Sequence, residues 1–194
     1  SPVSGDICTT DCTLGTAVWK TILVGGLGRG GRGYYALDIT DPASPKALWE
    51  FTDANLGYTF GTPQIAKLAD GTWVVLVPSG YNNIANEDGA GGDGVGRLFV
   101  LDALTGTLIR SISTGEGDTT TPSGLAKITA QVISPDSDNT IEAVYGGDLL
   151  GNVWRFDLKG KGDPTKVATL IGTDGQPQPV TAAPELLYHS GQRI

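Results

Sequence analysis

Short apolar stretches alternate with glycine-rich or polar turns along this chain, and one arrangement of them occurs three times. Each copy has an apolar run, a glycine-rich connection and a second strand-like segment that ends in aspartate. The second segments are residues 33–38, 96–102 and 151–157. A hairpin that recurs in this way is typical of a β-propeller, in which every blade is a small antiparallel sheet.

The pattern predicts an all-β fold, a partial β-propeller built from four-stranded antiparallel blades. Residues 1–16 are polar and show no pattern, so we predict an irregular N-terminal segment there. The propeller segment is predicted to cover residues 17–194, which contain no sustained helical periodicity. It divides into a partial blade, two complete blades and the first strand of a further blade, at residues 17–52, 62–114, 123–172 and 180–194.

This number of blades predicts an open arc rather than a closed ring. Propellers close with about four to eight blades, and two complete blades with two partial ones do not reach that number. We therefore expect the missing blades elsewhere in a longer protein or in another chain. The lack of methionine, at position 1 and throughout, agrees with a mature or excised piece.

Composition narrows the class of protein. Gly 29 and Pro 11 among 194 residues favour many tight turns between short strands. The formal net charge of −8 argues against a nucleic-acid partner, because phosphate binding requires a basic face. No stretch approaches the roughly 20 consecutive apolar residues of a membrane helix. We therefore expect no membrane span and a secreted protein.

The two cysteines of the chain are Cys8 and Cys12. They lack the further ligands that a zinc site requires. We predict a disulfide between them, formed in an oxidising compartment. Two free thiols in a loose N-terminal segment are the alternative.

A glycine motif in the first copy resembles a nucleotide-binding sequence. Residues 26–31 match the pattern G-x-G-x-x-G, but a dinucleotide site also requires a helix whose N-terminus receives the pyrophosphate. Residues 34–39 predict a strand instead. We interpret the glycines as a flexible connection between two strands, with an anion held by Arg29 and Arg32 as the alternative.

An aspartate ends the third strand of each predicted unit, at Asp38, Asp102 and Asp157. Three carboxylates in equivalent places suggest a catalytic ring. The structural interpretation is simpler, because an aspartate side chain accepts hydrogen bonds from backbone N–H groups in the turn that follows it. We predict that all three stabilise turns.

One acidic segment has the oxygen-donor spacing of a calcium loop. Such loops place side-chain oxygens at positions 1, 3 and 5, a backbone carbonyl at position 7 and a carboxylate further on. The candidate metal ligands are Ser134, Asp136, Asp138, the carbonyl group of Thr140, and Glu142. Because serine stands where a carboxylate is expected, we predict weak calcium binding. A solvated turn is the alternative.

A second segment, residues 82–94, is rich in oxygen ligands but has no regular ligand spacing. We predict a surface loop there, with a metal site as the alternative.

Four stretches of the chain are similar to one known family. They are residues 28–38, 78–83, 98–102 and 145–158. The last contains Gly-Gly-Asp-x-x-Gly-Asn-x-Trp-Arg-Phe-Asp-Leu and is the most specific. From about Trp19 to its end, the chain resembles the C-terminal propeller of the PilY/PilC type IV pilus tip proteins.

The resemblance implies a propeller that is quinoprotein-dehydrogenase-like in fold and is not an enzyme. It implies roles in pilus assembly, retraction control, adhesion and surface sensing, at the pilus tip outside the cell, reached through the periplasm and outer membrane. The implied partners are pilin subunits and minor pilins, a host or abiotic surface, and the remaining blades of the parent protein. The family's regulatory calcium site maps onto the segment from Ser134 to Glu142.

Two other functions stay open at this point. A quinone-dependent dehydrogenase uses the same type of blade, but it would need a complete ring, a tryptophan and a vicinal disulfide around the quinone, and a catalytic aspartate beside a metal. Cys8 and Cys12 are not adjacent, and the sequence shows no such cluster. A generic protein-interaction scaffold, without metal or pilus role, is the other alternative.

Overall fold

The chain is built from β-strands. The computed structural model describes residues 2–10, 12, 15–85, 91–134, 138–160, 163–189 and 192–193, and this part of the chain contains fourteen strands and no α-helix. The strands are β1 (Val3–Cys8), β2 (Trp19–Gly26), β3 (Tyr34–Asp38), β4 (Lys46–Phe51), β5 (Gln64–Lys67), β6 (Trp73–Pro78), β7 (Arg97–Asp102), β8 (Leu108–Ser113), β9 (Lys127–Ser134), β10 (Asp138–Gly147), β11 (Asn152–Asp157), β12 (Pro164–Thr169), β13 (Tyr188–His189) and β14 (Gln192–Arg193). With helices absent from the described ranges, none there is long and apolar enough to cross a membrane.

The first twelve strands form three antiparallel meanders of four strands. Blade 1 contains β1 to β4, blade 2 contains β5 to β8, and blade 3 contains β9 to β12. Blades 2 and 3 are joined by one parallel pairing, between Lys67 at the end of β5 and Thr140 in β10. The predicted partial β-propeller with four-stranded antiparallel blades is confirmed.

The prediction of an irregular segment over residues 1–16 is wrong. Strand β1 pairs along its whole length with β2, so blade 1 is complete rather than partial. Ile7 is only 1% exposed and joins the core. The strand was hidden in the sequence because Ser4, Gly5 and Asp6 interrupt its apolar positions.

The prediction of a blade-opening strand over residues 180–194 is also wrong. Residues 180–187 form no strand, and among the described residues the short strands β13 and β14 pair only with each other. Residues 190, 191 and 194 of the prediction lie outside the described part of the chain. The segment lies along blade 3 instead, where the backbone N–H group of Val180 donates to the carbonyl oxygen of Asp148 at 2.9 Å. Thr129 Oγ1 donates to the carbonyl oxygen of Pro184 at 2.5 Å. Proline has no N–H group to donate to a sheet, which disfavours a central strand in this part of the chain.

Blade 2 is buried on both faces. Along β6, Val74 and Leu76 belong to the core shared with blade 3, whereas Val75 and Val77 belong to the core shared with blade 1. Successive side chains of a strand point to opposite faces, so two apolar interfaces require a continuous apolar strand rather than an alternating one. This explains the uninterrupted apolar run in β6 and a similar run in β7.

Candidate functional site

The three repeated aspartates stabilise turns, as predicted. Asp38 Oδ1 accepts the N–H group of Thr40 at 3.0 Å, and Asp157 Oδ1 accepts that of Lys159 at 3.1 Å. Asp102 Oδ1 accepts two backbone N–H groups, at 3.0 and 2.8 Å. Each carboxylate therefore holds the turn that leads to the next strand, which is the predicted structural role.

A fourth aspartate, Asp148, is the most extensively bonded carboxylate in the described residues. Its side chain is fully buried and accepts five hydrogen bonds. Their donors are the backbone N–H groups of Leu150 and Asn152, the Asn152 side-chain amide, Ser123 Oγ and Trp154 Nε1. The motif Gly-Gly-Asp-x-x-Gly-Asn-x-Trp is therefore a turn organised around one carboxylate.

The segment predicted to bind calcium is partly described. Asp138 Oδ1 accepts both the N–H group and Oγ1 of Thr140, at 2.9 and 2.6 Å, and lies 3.1 Å from Lys67 Nζ. The hydrogen bonds from Thr140, followed by Lys67, lower the pKa of Asp138 to about 2. Its carboxylate is therefore ionised at neutral pH. Asp136 and the side chain of Ser134 lie outside the described residues.

Glu142, the last of the predicted ligands, forms an ion pair with Lys159 and accepts a hydrogen bond from Gln131 Nε2 at 3.3 Å. Both described carboxylates of the segment therefore face a lysine ammonium group. Within the described ranges, no three metal-binding side chains converge on one point. As placed here, Asp138 and Glu142 do not fit a calcium ion unless it displaces two lysines.

The second acidic segment contains a well-defined ion pair. Asp93 accepts from both terminal nitrogens of Arg97 at 2.6 Å, and these hydrogen bonds are the main cause that lowers the pKa of Asp93 to about 2. Asn83 Nδ2 donates to the carbonyl oxygen of Val95 at 2.8 Å. These contacts give the described part of the loop a structural role. Residues 86–90 of the predicted loop lie outside the described residues.

The glycine motif of residues 26–31 connects β2 to β3, as predicted, and no helix follows it. Arg32 donates to the carbonyl oxygen of Ile84 at 2.7 Å and lies over the Tyr58 ring, with its guanidinium carbon 5.7 Å from the centroid. The guanidinium group therefore already has protein partners. At the end of β1, the structure joins Cys8 and Cys12 by a disulfide.

A pocket of about 470 Å³ lies where one end of each blade meets the others. Its lining residues are Asp6 and Trp19 from blade 1, Lys67 and Trp73 from blade 2, and Asp138 and Asn139 from blade 3. We call it the inter-blade pocket. Trp19 is 50% exposed, and its ring meets that of Trp73 edge to face, with centroids 6.0 Å apart. The pocket combines aromatic surface with two carboxylates and one ammonium group.

Comparison with known proteins now identifies the family. The sequence model of the PilY1 beta-propeller domain matches residues 2–172. The chain belongs to the PilY1 β-propeller family. The match begins at residue 2, immediately before β1, so it includes all four strands of blade 1.

Relatives of this family are similar over most of the chain. The type IV pilus biogenesis factor PilY1 of Pseudomonas aeruginosa strain UCBPP-PA14 is 34% identical over 206 residues, which cover 90% of this chain and 17% of that protein. A type IV pilus biogenesis factor PilY1 homolog of Xylella fastidiosa strain Temecula1 is 36% identical over 187 residues, covering 94% of this chain and 14% of the relative. The chain thus spans less than a fifth of these relatives.

A solved structure of the PilY1 family has the same fold. The crystal structure of the Pseudomonas aeruginosa PilY1 C-terminal domain superimposes with a TM-score of 0.77 at 31% sequence identity. The superposition covers 98% of this chain and 41% of that domain.

Proposed function

We propose that this chain is the propeller segment of a type IV pilus biogenesis factor and that it acts through its surface rather than through catalysis. The observation that carries the proposal is the match of the PilY1 beta-propeller domain to residues 2–172, together with the structural similarity to the PilY1 C-terminal domain. The segment supports pilus assembly, retraction control and adhesion. Its partners are pilins and minor pilins, a host or abiotic surface, and the remaining blades of the parent protein.

We place this role at the pilus tip outside the cell, as the family resemblance implies, and two observations support that it is non-enzymatic. The relatives are named as biogenesis factors. In addition, the repeated aspartates, which were the candidates for a catalytic ring, use their carboxylates to hold backbone turns.

Piliation of the bacterium that encodes this chain tests the proposal. The native gene is changed to carry Asp148→Asn, which should strongly destabilise blade 3, or Asp157→Asn, which removes a carboxylate with one backbone partner. We expect Asp148→Asn to cause loss of sheared surface pili and of twitching motility, and Asp157→Asn to leave both unchanged. Normal piliation in the Asp148→Asn strain, with the propeller shown by limited proteolysis to be unfolded, would refute the role.

We also propose that calcium regulates the segment from Ser134 to Glu142, as the family resemblance implies. The ionised carboxylate of Asp138 supports this, whereas Lys67 and Lys159 compete with the ion for Asp138 and Glu142. Binding would neutralise the acidic side chains, which would bias contacts with a partner.

Calorimetric titration of the chain with calcium chloride tests the regulation. We expect a dissociation constant of roughly 10⁻⁴ to 10⁻³ M, as in weak extracellular sites. Asp138→Asn should abolish the heat of binding, and Lys159→Gln should strengthen binding because a competing cation is removed. Glu50→Gln, which removes an exposed carboxylate on β4, is the control. A titration that Asp138→Asn leaves unchanged would exclude this segment as the site.

A further inference from the structure

We propose that the inter-blade pocket binds an arginine side chain presented by an extended segment of a partner protein. The inference is independent of the pilus role, since it concerns what the pocket recognises in isolation.

The inter-blade pocket lies where residues of all three blades meet, a position that suits the recognition of a partner protein. Asp6 and Trp19 come from blade 1, Lys67 and Trp73 from blade 2, and Asp138 from blade 3. Each blade contributes residues at the end where its first and second strands are joined. The pocket therefore forms only when the three blades are packed together through the two apolar cores.

The aromatic wall favours a cation with a flat, apolar body. Trp19 leaves half of its surface exposed, although the edge-to-face contact with Trp73 holds its ring in place. A guanidinium group stacks on an indole face by cation–π attraction, and tryptophan is the best aromatic partner for it. The exposed indole ring of Trp19, held in place by Trp73, thus offers a surface on which an arginine side chain can stack.

The charges of the residues that line the inter-blade pocket, which form its wall, favour the binding of one additional positive charge. Asp6 and Asp138 carry two negative charges, and Lys67, which pairs with Asp138 at 3.1 Å, carries one positive charge. The wall therefore has one uncompensated negative charge, which a single guanidinium group neutralises. The whole chain, with a formal net charge of −8, attracts a basic partner over a longer range.

The size of the pocket distinguishes a side chain from a bare ion. About 470 Å³ falls within the range of roughly 300 to 1,000 Å³ that is typical of sites for organic ligands. The cavity can hold the guanidinium group, its alkyl stem and the flanking backbone.

NMR titration of the 194-residue chain tests the proposal, with tryptophan side-chain N–H signals as reporters. The probe is the peptide acetyl-Gly-Arg-Gly-amide, and the matched control peptide contains citrulline, which has nearly the same shape without the charge. We expect the arginine peptide to shift the Trp19 and Trp73 signals and the citrulline peptide to shift them far less. Trp49 and Trp154, whose indole N–H groups are bonded to Ala103 and Asp148, are internal controls that should not move.

Variants on the wall separate recognition from nonspecific charge attraction. Trp19→Ala and Asp6→Asn should each weaken binding about threefold to tenfold, the scale of one cation–π contact or one exposed charge pair. Lys67→Gln should strengthen binding, because it adds to the negative charge of the wall. Glu50→Gln changes the net charge as Asp6→Asn does but lies outside the wall, so it should leave the affinity unchanged.

Three results would overturn the proposal. The first is an equal response to the arginine and citrulline peptides. The second is binding of a neutral trisaccharide at the same signals with no response to arginine, which would make the pocket a carbohydrate site. The third is an unchanged affinity for the arginine peptide in the Trp19→Ala and Asp6→Asn variants, which would place its binding outside the pocket.

Discussion

Replacement of Asp148 by asparagine is expected to lower the free energy of unfolding by about 3 to 5 kcal/mol, the scale for disrupting a buried, hydrogen-bonded charge. Asp148 Oδ1 accepts the N–H groups of Leu150 and Asn152 at 3.0 and 2.8 Å. Its Oδ2 accepts from Trp154 Nε1 at 2.8 Å, Asn152 Nδ2 at 3.1 Å and Ser123 Oγ at 3.3 Å. An asparagine amide must place its NH₂ group against one of these two sets of donors. At least two buried donors then lose their acceptor, at about 1 to 3 kcal/mol each.

Urea unfolding followed by tryptophan fluorescence measures this loss, with Asp157→Asn as the matched control. Asp157 also ends a strand and accepts a backbone N–H group, but its side chain is 46% exposed and has one such partner. Its replacement should cost about 1 kcal/mol or less, because water can satisfy the exposed donor. Equal losses in the two variants would show that Asp148 does not organise blade 3.

Features that depend on neighbours in the chain could be predicted from the sequence. The turn aspartates were predictable because an aspartate bonds to N–H groups two or three residues further on, as Asp38 and Asp102 do here. The blades themselves were predictable because the hairpin recurs with the same order of strand, glycine turn and aspartate. Their antiparallel meander follows the general rule that consecutive strands of a chain tend to lie beside one another.

Features that depend on packing between blades could not be predicted. Spacing along the chain does not place Asp6, Lys67 and Asp138 beside one another, because each belongs to a different blade. The same limit applies to the predicted calcium segment, because Lys67, which pairs with Asp138, comes from blade 2. Spacing along the chain describes the ligands of a loop but not the charges that a neighbouring sheet brings to it.

The tryptophans also show that burial in the fold cannot be predicted from the neighbouring residues in the sequence. Trp49 and Trp154 are buried and use their indole N–H groups inside the fold, whereas Trp19 is half exposed at a pocket. Nothing adjacent to these residues in the sequence separates the two situations. The difference arises because Trp19 begins strand β2 beside the pocket, whereas Trp49 and Trp154 pack into the two apolar cores.

Replacement of Gly94 by alanine is expected to cost about 2 to 5 kcal/mol, which combines left-handed backbone strain of about 1 to 2 kcal/mol with overpacking of about 1 to 3 kcal/mol. Gly94 has a φ of 79°. A Cβ atom at this position would lie 1.9 Å from the carbonyl oxygen of Asp118. The backbone would have to move, although the Gly94 carbonyl group accepts the N–H group of Ser123 at 2.8 Å. The glycine is therefore required for the close approach of two loops in blade 2.

Gly115→Ala is the matched control, because the difference between the two variants isolates the contribution of the close contact between residue 94 and Asp118. Gly115 has a φ of 73°, and a Cβ atom there would meet nothing within 4 Å. Alanine at position 115 should therefore cost only the backbone strain, about 1 to 2 kcal/mol. Urea unfolding of both variants gives the difference directly. If the two alanine variants were equally stable, the approach of residue 94 to Asp118 would contribute nothing to the stability of the blade.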